Sequence, residues 1–240
     1  MSTVIRPRFY SHFAVLFAAL VFAGFSRTYY LRVLYDLPPL TLLVHLHGLV
    51  STAWLALFIV QTRLVTARRV DLHMKLGVAG AGLAVAMVIV GVLTAVANAP
   101  QPGLRASGLT NAQFTTVPLT TTVLFSVLFA LALRFRRKPE YHKRLMVLAM
   151  ISIIGPAVGR LAGLVGVGPF GALIQPAAVL CLIAWCLAYD WRRNHLVHPV
   201  FAWGGIVLLA SWPFRIWLAR SDIYAPFADW LARMGTFLVS

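Results

Sequence analysis

Three histidines occupy equivalent places along the chain, each four or five residues after an arginine pair. They are His73, His142 and His198, and each stands near the start of a long apolar stretch. Imidazole rings that converge from different helices can ligate haem iron or a transition metal ion, and they can relay protons near neutral pH. The pattern therefore predicts a metal site at these three residues, in which His73 and His142 would be the axial ligands of a b-type haem.

The first two histidine segments share a longer pattern that also has a purely structural interpretation. Asp71 and Glu140 each precede the histidine by two residues, and acid, histidine, base and leucine recur at an offset of 69 residues. Carboxylates are favourable at helix N-termini, whereas arginine pairs suit helix C-termini and anionic lipid headgroups. The pattern is typical of a duplicated helical hairpin whose loops face the same side.

A second group of polar residues lies deep within the apolar stretches, all at one level. Four of them stand 15 or 16 residues from one end of their stretch, which is about 22–24 Å along a helix. Two threonines of another stretch fall at the same level. The six residues are His47, Thr120, Thr121, Arg160, Gln175 and Arg215.

No Asp or Glu lies in this half of any apolar stretch. Guanidinium, imidazole, amide and hydroxyl groups without an acid suit an anionic or carbonyl-bearing ligand, such as haem propionates, a quinone headgroup or a lipid phosphate. The alternative is that both arginines extend toward the outer headgroups and bind nothing else. We predict a ligand site at this level.

Composition limits the class of protein to which these sites belong. The chain has 240 residues, of which 60% are apolar and 11% charged, whereas a soluble domain carries about 25% charged residues. The 21 Lys and Arg residues far outnumber the 6 Asp and Glu residues, but they fall between the apolar stretches, where membrane topology accounts for them without nucleic acid. The composition indicates a multi-pass membrane protein with the lipid bilayer as its surroundings.

Seven apolar stretches are long enough to cross a hydrocarbon core of about 30 Å, which needs about 20 helical residues. A last segment, 224–238, carries its large apolar residues on one helical stripe and predicts a short interfacial helix. The predicted fold is an all-α integral membrane bundle of seven transmembrane helices in one domain, 1–240, with that interfacial helix at its C-terminus. The predicted spans are 11–33, 41–63, 75–97, 114–135, 144–166, 171–190 and 199–219.

The distribution of basic residues predicts the orientation. With the N-terminus in the cytoplasm, 14 of the 21 Lys and Arg residues lie on the cytoplasmic side, as the positive-inside rule requires. Seven crossings then place the C-terminus outside. We expect a cell (inner) membrane location.

Several strings carry a resemblance to known proteins. HLHGLVSTAW, RRVDLHMKLG and RRKPEYHKRLM resemble segments of uncharacterised bacterial seven-span membrane proteins of about this length, and the similarity runs through most of the chain. More distantly, histidines at helix ends are similar to those of cytochrome-b-type diheme membrane proteins, which implies haem b as a cofactor. The chain departs from that pattern because no second histidine lies at the depth of His47.

Two main hypotheses for function follow. The first is a membrane redox protein that binds haem b or a quinone in a site lined by His and Arg. The second is a carrier or binding protein for a small anion or a lipid, without covalent chemistry. A structural or assembly subunit of a membrane complex, or a homo-oligomer, is a third. The chain has no P-loop and no G-x-S-x-G or H-E-x-x-H motif, and whether it is an enzyme stays open.

Overall fold

The chain is described by a computed structural model over residues 9–105, 107–166 and 171–239. These residues are helical apart from short connections and one isolated antiparallel bridge between Leu104 and Thr110. A π-helical turn and a 3-10 turn, Ser26–Tyr30 and Arg32–Tyr35, follow the first helix. The α-helices are α1 Phe9–Phe25, α2 Leu42–Thr66, α3 Val70–Asn98, α4 Asn111–Phe114, α5 Thr116–Arg134, α6 Pro139–Ser152, α7 Gly155–Val165, α8 Gly171–Asn194, α9 Pro199–Ala219 and α10 Ala225–Val239.

The prediction of an all-α chain with long apolar helices is confirmed. Within the described residues, six helical segments are long and apolar enough to cross a membrane, and α6 with α7 makes a seventh if the bent pair counts as one span. The last predicted span, 199–219, coincides with α9, whereas α3 begins at Val70, five residues before the predicted start. The earlier start places Asp71 and His73 inside the helix rather than in the loop before it.

The predicted fifth span, 144–166, is divided into two helices. The helices α6 and α7 are separated by Ile153 and Ile154 and are bent by 42°. Pro156 has no backbone N–H with which to bond the carbonyl of Ser152, and its ring clashes with that carbonyl in a continuous helix. The helix therefore ends at Ser152 and restarts at Gly155. By contrast, α8 continues through Pro176.

The described contacts divide into two compact units, Met1–Gly91 and Val92–Ser240. In the first unit, α1 packs on α2. The Ser11 and Thr66 hydroxyls lie 3.0 Å apart near one end of the pair, and those of Tyr30 and Thr52 lie 2.9 Å apart further along. Buried aromatic rings, among them Phe13 and Trp54, fill the space within this unit.

The second unit is built around α6, whose residues from Val147 to Ile151 are almost completely buried. Two adjacent glycines let α9 approach its neighbours closely. A Cβ at Gly205 would lie 2.7 Å from Ile183 on α8, and one at Gly204 would overlap Leu148 on α6. The second unit thus packs α6, α8 and α9 at short range, with α5 beside α6 and α9.

The predicted C-terminal helix, 224–238, is confirmed as α10, Ala225–Val239. Its Leu231 is buried against Val96 and Ala99, and a Cβ at Gly235 would overlap the backbone oxygen of Val96. Most of the other residues of its apolar stripe stay exposed, including Phe227 and Trp230. This helix therefore docks through a narrow face and leaves a broad apolar face open.

Candidate functional site

Arg215 on α9 is a buried cation held by neutral partners. Its side chain is 6% exposed. Nη1 donates to Thr121 Oγ1 on α5 at 3.0 Å, and Nη2 donates to Ser211 Oγ, one turn earlier on α9, at 3.1 Å. Its Nε is buried, and no acceptor among the described residues lies within hydrogen-bonding distance of it.

The charge of Arg215 is not neutralised by a protein carboxylate. In the described part of the chain, no Asp or Glu oxygen lies within 4 Å of its guanidinium. The hydroxyl of Ser211 donates to Leu208 O at 2.6 Å, so its oxygen faces Arg215 as a neutral acceptor. A buried charge that lacks a counter-ion costs several kcal/mol in an apolar setting. Binding an anion here would therefore be favourable.

Arg215 lines a cavity of about 30 Å³ between α6, α7, α8 and α9. One water molecule needs about 10–15 Å³ measured in this way, so the cavity has room for a very small ligand or a few waters. Its polar lining comes from Ser152, Gln175, Ser211 and Arg215, and Trp212 lies among the apolar lining residues.

Two glycines of α7 place Gln175 beside this cavity. A Cβ at Gly159 would lie 2.5 Å from Gln175 Nε2, and one at Gly155 would lie 3.2 Å from Gln175 Oε1. Any larger residue at position 159 would push the amide away. The sequence GPAVG at 155–159 thus provides the helix break and also the space for the Gln175 side chain.

The broken helix contributes a backbone dipole to the site. Gly155 is the first residue of α7 and lines the cavity, and a helix N-terminus carries partial positive charge. At the facing end of α6, the carbonyls of Met150 and Ile151 accept from the N–H groups of Ile153 and Ile154. The negative end of α6 is therefore partly satisfied. In the first turn of α7, Pro156 has no N–H and the N–H groups of Ala157 and Val158 donate to Ile154 O, which leaves the N–H of Gly155 at the cavity.

The structure brings together three of the six residues predicted to lie at one level. Arg215 bonds Thr121, and Gln175 lines the same cavity as Arg215. Thr120 donates to Thr116 O on its own helix at 2.5 Å. Arg160 is exposed and donates to Pro156 O at 3.0 Å, so it does not line this cavity. His47 is half-buried in the first unit.

Two of the three histidines predicted as metal ligands make hydrogen bonds with the backbone. His142 Nδ1 lies 2.8 Å from Ala132 O and ties α6 to α5. His198 Nδ1 accepts from Val200 N at 3.2 Å and caps α9. His73 is half-buried in the first turn of α3. No group of three or more His, Cys, Asp or Glu residues within the described ranges is placed to hold a metal ion.

An ion pair that the sequence analysis did not identify joins α6 and α8. Arg144 and Asp190 are 2% and 0% exposed, and Arg144 binds the carboxylate through Nε at 2.9 Å and through Nη2 at 2.5 Å. Nη1 bonds both Glu140 O and Glu140 Oε2. Asp190 Oδ2 also accepts from the backbone N–H of His198 at 3.2 Å. This cluster therefore fixes the adjoining ends of α6, α8 and α9.

The sequence contained a signal for this pair. Asp190 is the only acid within the apolar stretch 171–190, and buried acids are almost always paired. In the sequence, Arg144 directly follows the basic segment 136–143, where a surface position explains an arginine. Only the packing of α6 against α8 shows that the two residues meet.

His198 lies beside this cluster. Burial lowers the pKa of His198 below its ordinary value, and the nearby Arg144 and Lys143 lower it further, whereas Asp190 and Glu140 act in the opposite direction. The Tyr141 ring meets the imidazole edge to face at a centroid distance of 4.9 Å. The folded protein therefore favours the neutral imidazole, which accepts from Val200 N.

Comparison with protein-family models, with curated proteins and with solved structures finds no match. The resemblances drawn from the sequence strings stay predictions.

We predict that Arg144→Gln destabilises the second unit by about 3–5 kcal/mol, because it leaves Asp190 as an uncompensated buried charge. Asp190→Asn is expected to cost less, since Arg144 keeps Glu140 as a partner. The double variant should lose less free energy of unfolding than the two single variants lose in sum. The measurement is the free energy of unfolding in mixed micelles. Lys143→Gln, at a partly exposed pair with Glu140, is the matched control and should change stability by less than about 1 kcal/mol.

We predict that His198 makes the protein less stable as the pH falls. Because the pKa of His198 is lowered in the folded protein, the unfolded state takes up the proton first as the pH falls. The free energy of unfolding therefore decreases as the pH falls from about 6.5 toward the pKa of His198 in the folded protein. His198→Asn keeps a capping oxygen but does not titrate. Between about pH 8 and about pH 5, the melting temperature of wild type should therefore fall by more than the melting temperature of His198→Asn does. His195→Asn removes an imidazole from the same loop without touching the cap; an equal shift in that variant would contradict the assignment.

Proposed function

We propose that this chain is a multi-pass membrane protein that binds an anionic or carbonyl-bearing ligand at Arg215, as a binding protein or carrier. The observation that carries the proposal is the buried Arg215 guanidinium, which has hydroxyl partners, no described carboxylate and an unsatisfied Nε beside a small polar cavity. In the interior of a membrane, ionisable residues of this kind mark substrate or ion sites.

The surface of the long helices supports insertion into a bilayer. Leu42 and Val78 are 76% and 77% exposed, and many other large aliphatic and aromatic side chains of the apolar helices are also exposed. In water this surface would be unfavourable, since soluble proteins rarely expose large contiguous apolar patches. In lipid the same surface is the expected one. We propose the inner membrane, with the N-terminus in the cytoplasm and the C-terminus outside, from the distribution of Lys and Arg.

We predict that the loops after α3 and after α5 lie on opposite sides of the membrane. Arg105 and Arg137 are exposed loop residues and can be replaced singly by cysteine in a chain whose Cys181 and Cys186 are replaced by alanine. In intact spheroplasts, a membrane-impermeant maleimide should label Arg105→Cys, and it should label Arg137→Cys only after lysis. Labelling of Arg137→Cys in intact spheroplasts would invert the proposed orientation.

The redox hypothesis remains the second candidate, and a specific contact favours it. His142 donates from Nδ1 to Ala132 O, and metal-ligating histidines commonly make such a bond because it orients the ring. Neither His73 nor His142 lines the Arg215 cavity. A quinone would instead use Arg215, whose guanidinium could donate to its carbonyl.

We predict that ligands of the Arg215 site stabilise the wild-type protein and not Arg215→Gln. The purified protein is heated with inorganic phosphate, acetate, chloride or a short-chain quinone, and unfolding is followed by tryptophan fluorescence. A probe present at one hundred times its dissociation constant adds about 2.7 kcal/mol of stability. Arg160→Gln, which removes an exposed arginine from the adjoining α7, is the control and should respond as wild type does.

Two results would contradict the proposal: a wild-type protein that responds to no probe, or equal responses from wild type and Arg215→Gln. A reduced-minus-oxidised absorption spectrum of the same preparation distinguishes the redox protein from the binding protein or carrier. Two results together would favour the redox protein: a haem absorption band that is lost in His73→Gln and His142→Gln, and stabilisation by each probe that is the same in wild type and in Arg215→Gln.

A further inference from the structure

We infer that the ligand of the Arg215 cavity is a small monovalent inorganic anion of the size of chloride. The inference rests on the proposed function and narrows its ligand class. Two independent properties of the site lead to it: the volume of the cavity and its charge.

The volume excludes the larger candidates. The cavity measures about 30 Å³, whereas sites for cofactors and drug-sized molecules measure about 300–1,000 Å³. A quinone ring, a haem propionate with its macrocycle and a phospholipid headgroup do not fit without separating α6, α8 and α9. A monatomic anion is only slightly larger than a water molecule, and it fits without any movement of the helices.

The charge of the site calls for one negative charge. The Arg215 guanidinium provides one positive charge without a described carboxylate, and the N-terminus of α7 adds a partial positive charge at Gly155. A monovalent anion neutralises the guanidinium. A divalent oxyanion would leave excess negative charge in an apolar region, and burial of an uncompensated charge is strongly unfavourable.

The donors that remain belong to Arg215, Gln175 and Trp212. The hydroxyls of Ser152 and Ser211 already donate to Ala149 O and Leu208 O. Arg215 keeps the N–H groups that bond neither Thr121 nor Ser211, and the Gln175 amide and the Trp212 indole N–H belong to residues that line the same cavity. A halide accepts hydrogen bonds without strong directional preference, so it can use whichever of these donors reach it.

Gln175 acts as a positioning residue in this site. Its amide lies against Gly155 and Gly159, and the narrow fit to Gly159 holds it beside the cavity that Arg215 lines. Arg215 supplies charge, and Gln175 supplies a neutral polar group from a different helix. Two helices that both contact one anion would be joined more firmly when the anion is bound, so the ligand should stabilise the folded protein.

The test compares anions in the full-length protein at constant ionic strength. Sodium gluconate is replaced stepwise by sodium chloride, and the melting temperature and the quenching of tryptophan fluorescence by iodide are recorded. Trp212 lines the cavity, so iodide should quench one component of the fluorescence saturably, and Trp212→Phe should remove that component. Chloride and bromide should raise the melting temperature saturably, whereas acetate, phosphate and the short-chain quinone should not.

Variants assign the effect to this site. Arg215→Gln should raise the dissociation constant for chloride at least tenfold, and Arg160→Gln should leave it within twofold of wild type. Should Arg215→Gln fail to fold, Gln175→Leu removes the neutral donor without touching the guanidinium and should raise the dissociation constant at least threefold. Gly159→Ala displaces the Gln175 amide, so it should also raise the dissociation constant for chloride.

The outcomes separate this inference from the proposed function. If phosphate, acetate or the quinone stabilises wild type but not Arg215→Gln, and chloride has no effect, the ligand class is wrong and the proposed function stands. If chloride stabilises wild type and Arg215→Gln equally, or if no probe has any effect, both are overturned. Saturable halide binding that depends on Arg215 and Gln175 supports both.

Discussion

The ion pair between Arg144 and Asp190 is the contact on which the geometry of the second unit depends. Both side chains are almost fully buried, and the two parallel hydrogen bonds between them fix both distance and angle between α6 and α8. Because Asp190 also accepts from His198 N, the start of α9 is fixed by the same carboxylate. Three helices thus meet at one charged cluster, and the same helices line the Arg215 cavity with Ser152, Gln175 and Ser211.

The second unit contains two buried arginines with opposite surroundings. Arg144 is neutralised by Asp190 and Glu140, and all its donor groups have partners. Arg215 has Thr121 and Ser211 in place of acids. A neutralised arginine supports the fold and has little left to offer a ligand, whereas an uncompensated one keeps attraction for an anion. Because of this contrast, we propose Arg215, rather than the more elaborate cluster, as the centre of a binding site.

Backbone irregularities create the space at Arg215. Pro156 ends α6 at Ser152 and lets α7 begin at Gly155, which exposes a helix N-terminus to the cavity. Gly159 leaves room for the Gln175 amide. Broken helices are a recurrent way of placing backbone dipoles at ion sites inside membrane proteins. In this chain, one proline and two glycines produce a comparable helix break beside the Arg215 cavity.

The helical class and the positions of the long apolar helices follow from the sequence, because apolar periodicity is a local signal. The sequence also places six polar residues at one level. It does not separate Arg215, Gln175 and Thr121, which the structure brings together, from Arg160, which is exposed, since depth along a helix says nothing about which face a residue occupies. It also does not show that Arg144 meets Asp190, 46 positions away. These points depend on tertiary structure, because the packing of α6, α8 and α9 pairs Arg144 with Asp190 in the interior and, among the described residues, leaves Arg215 without a carboxylate partner.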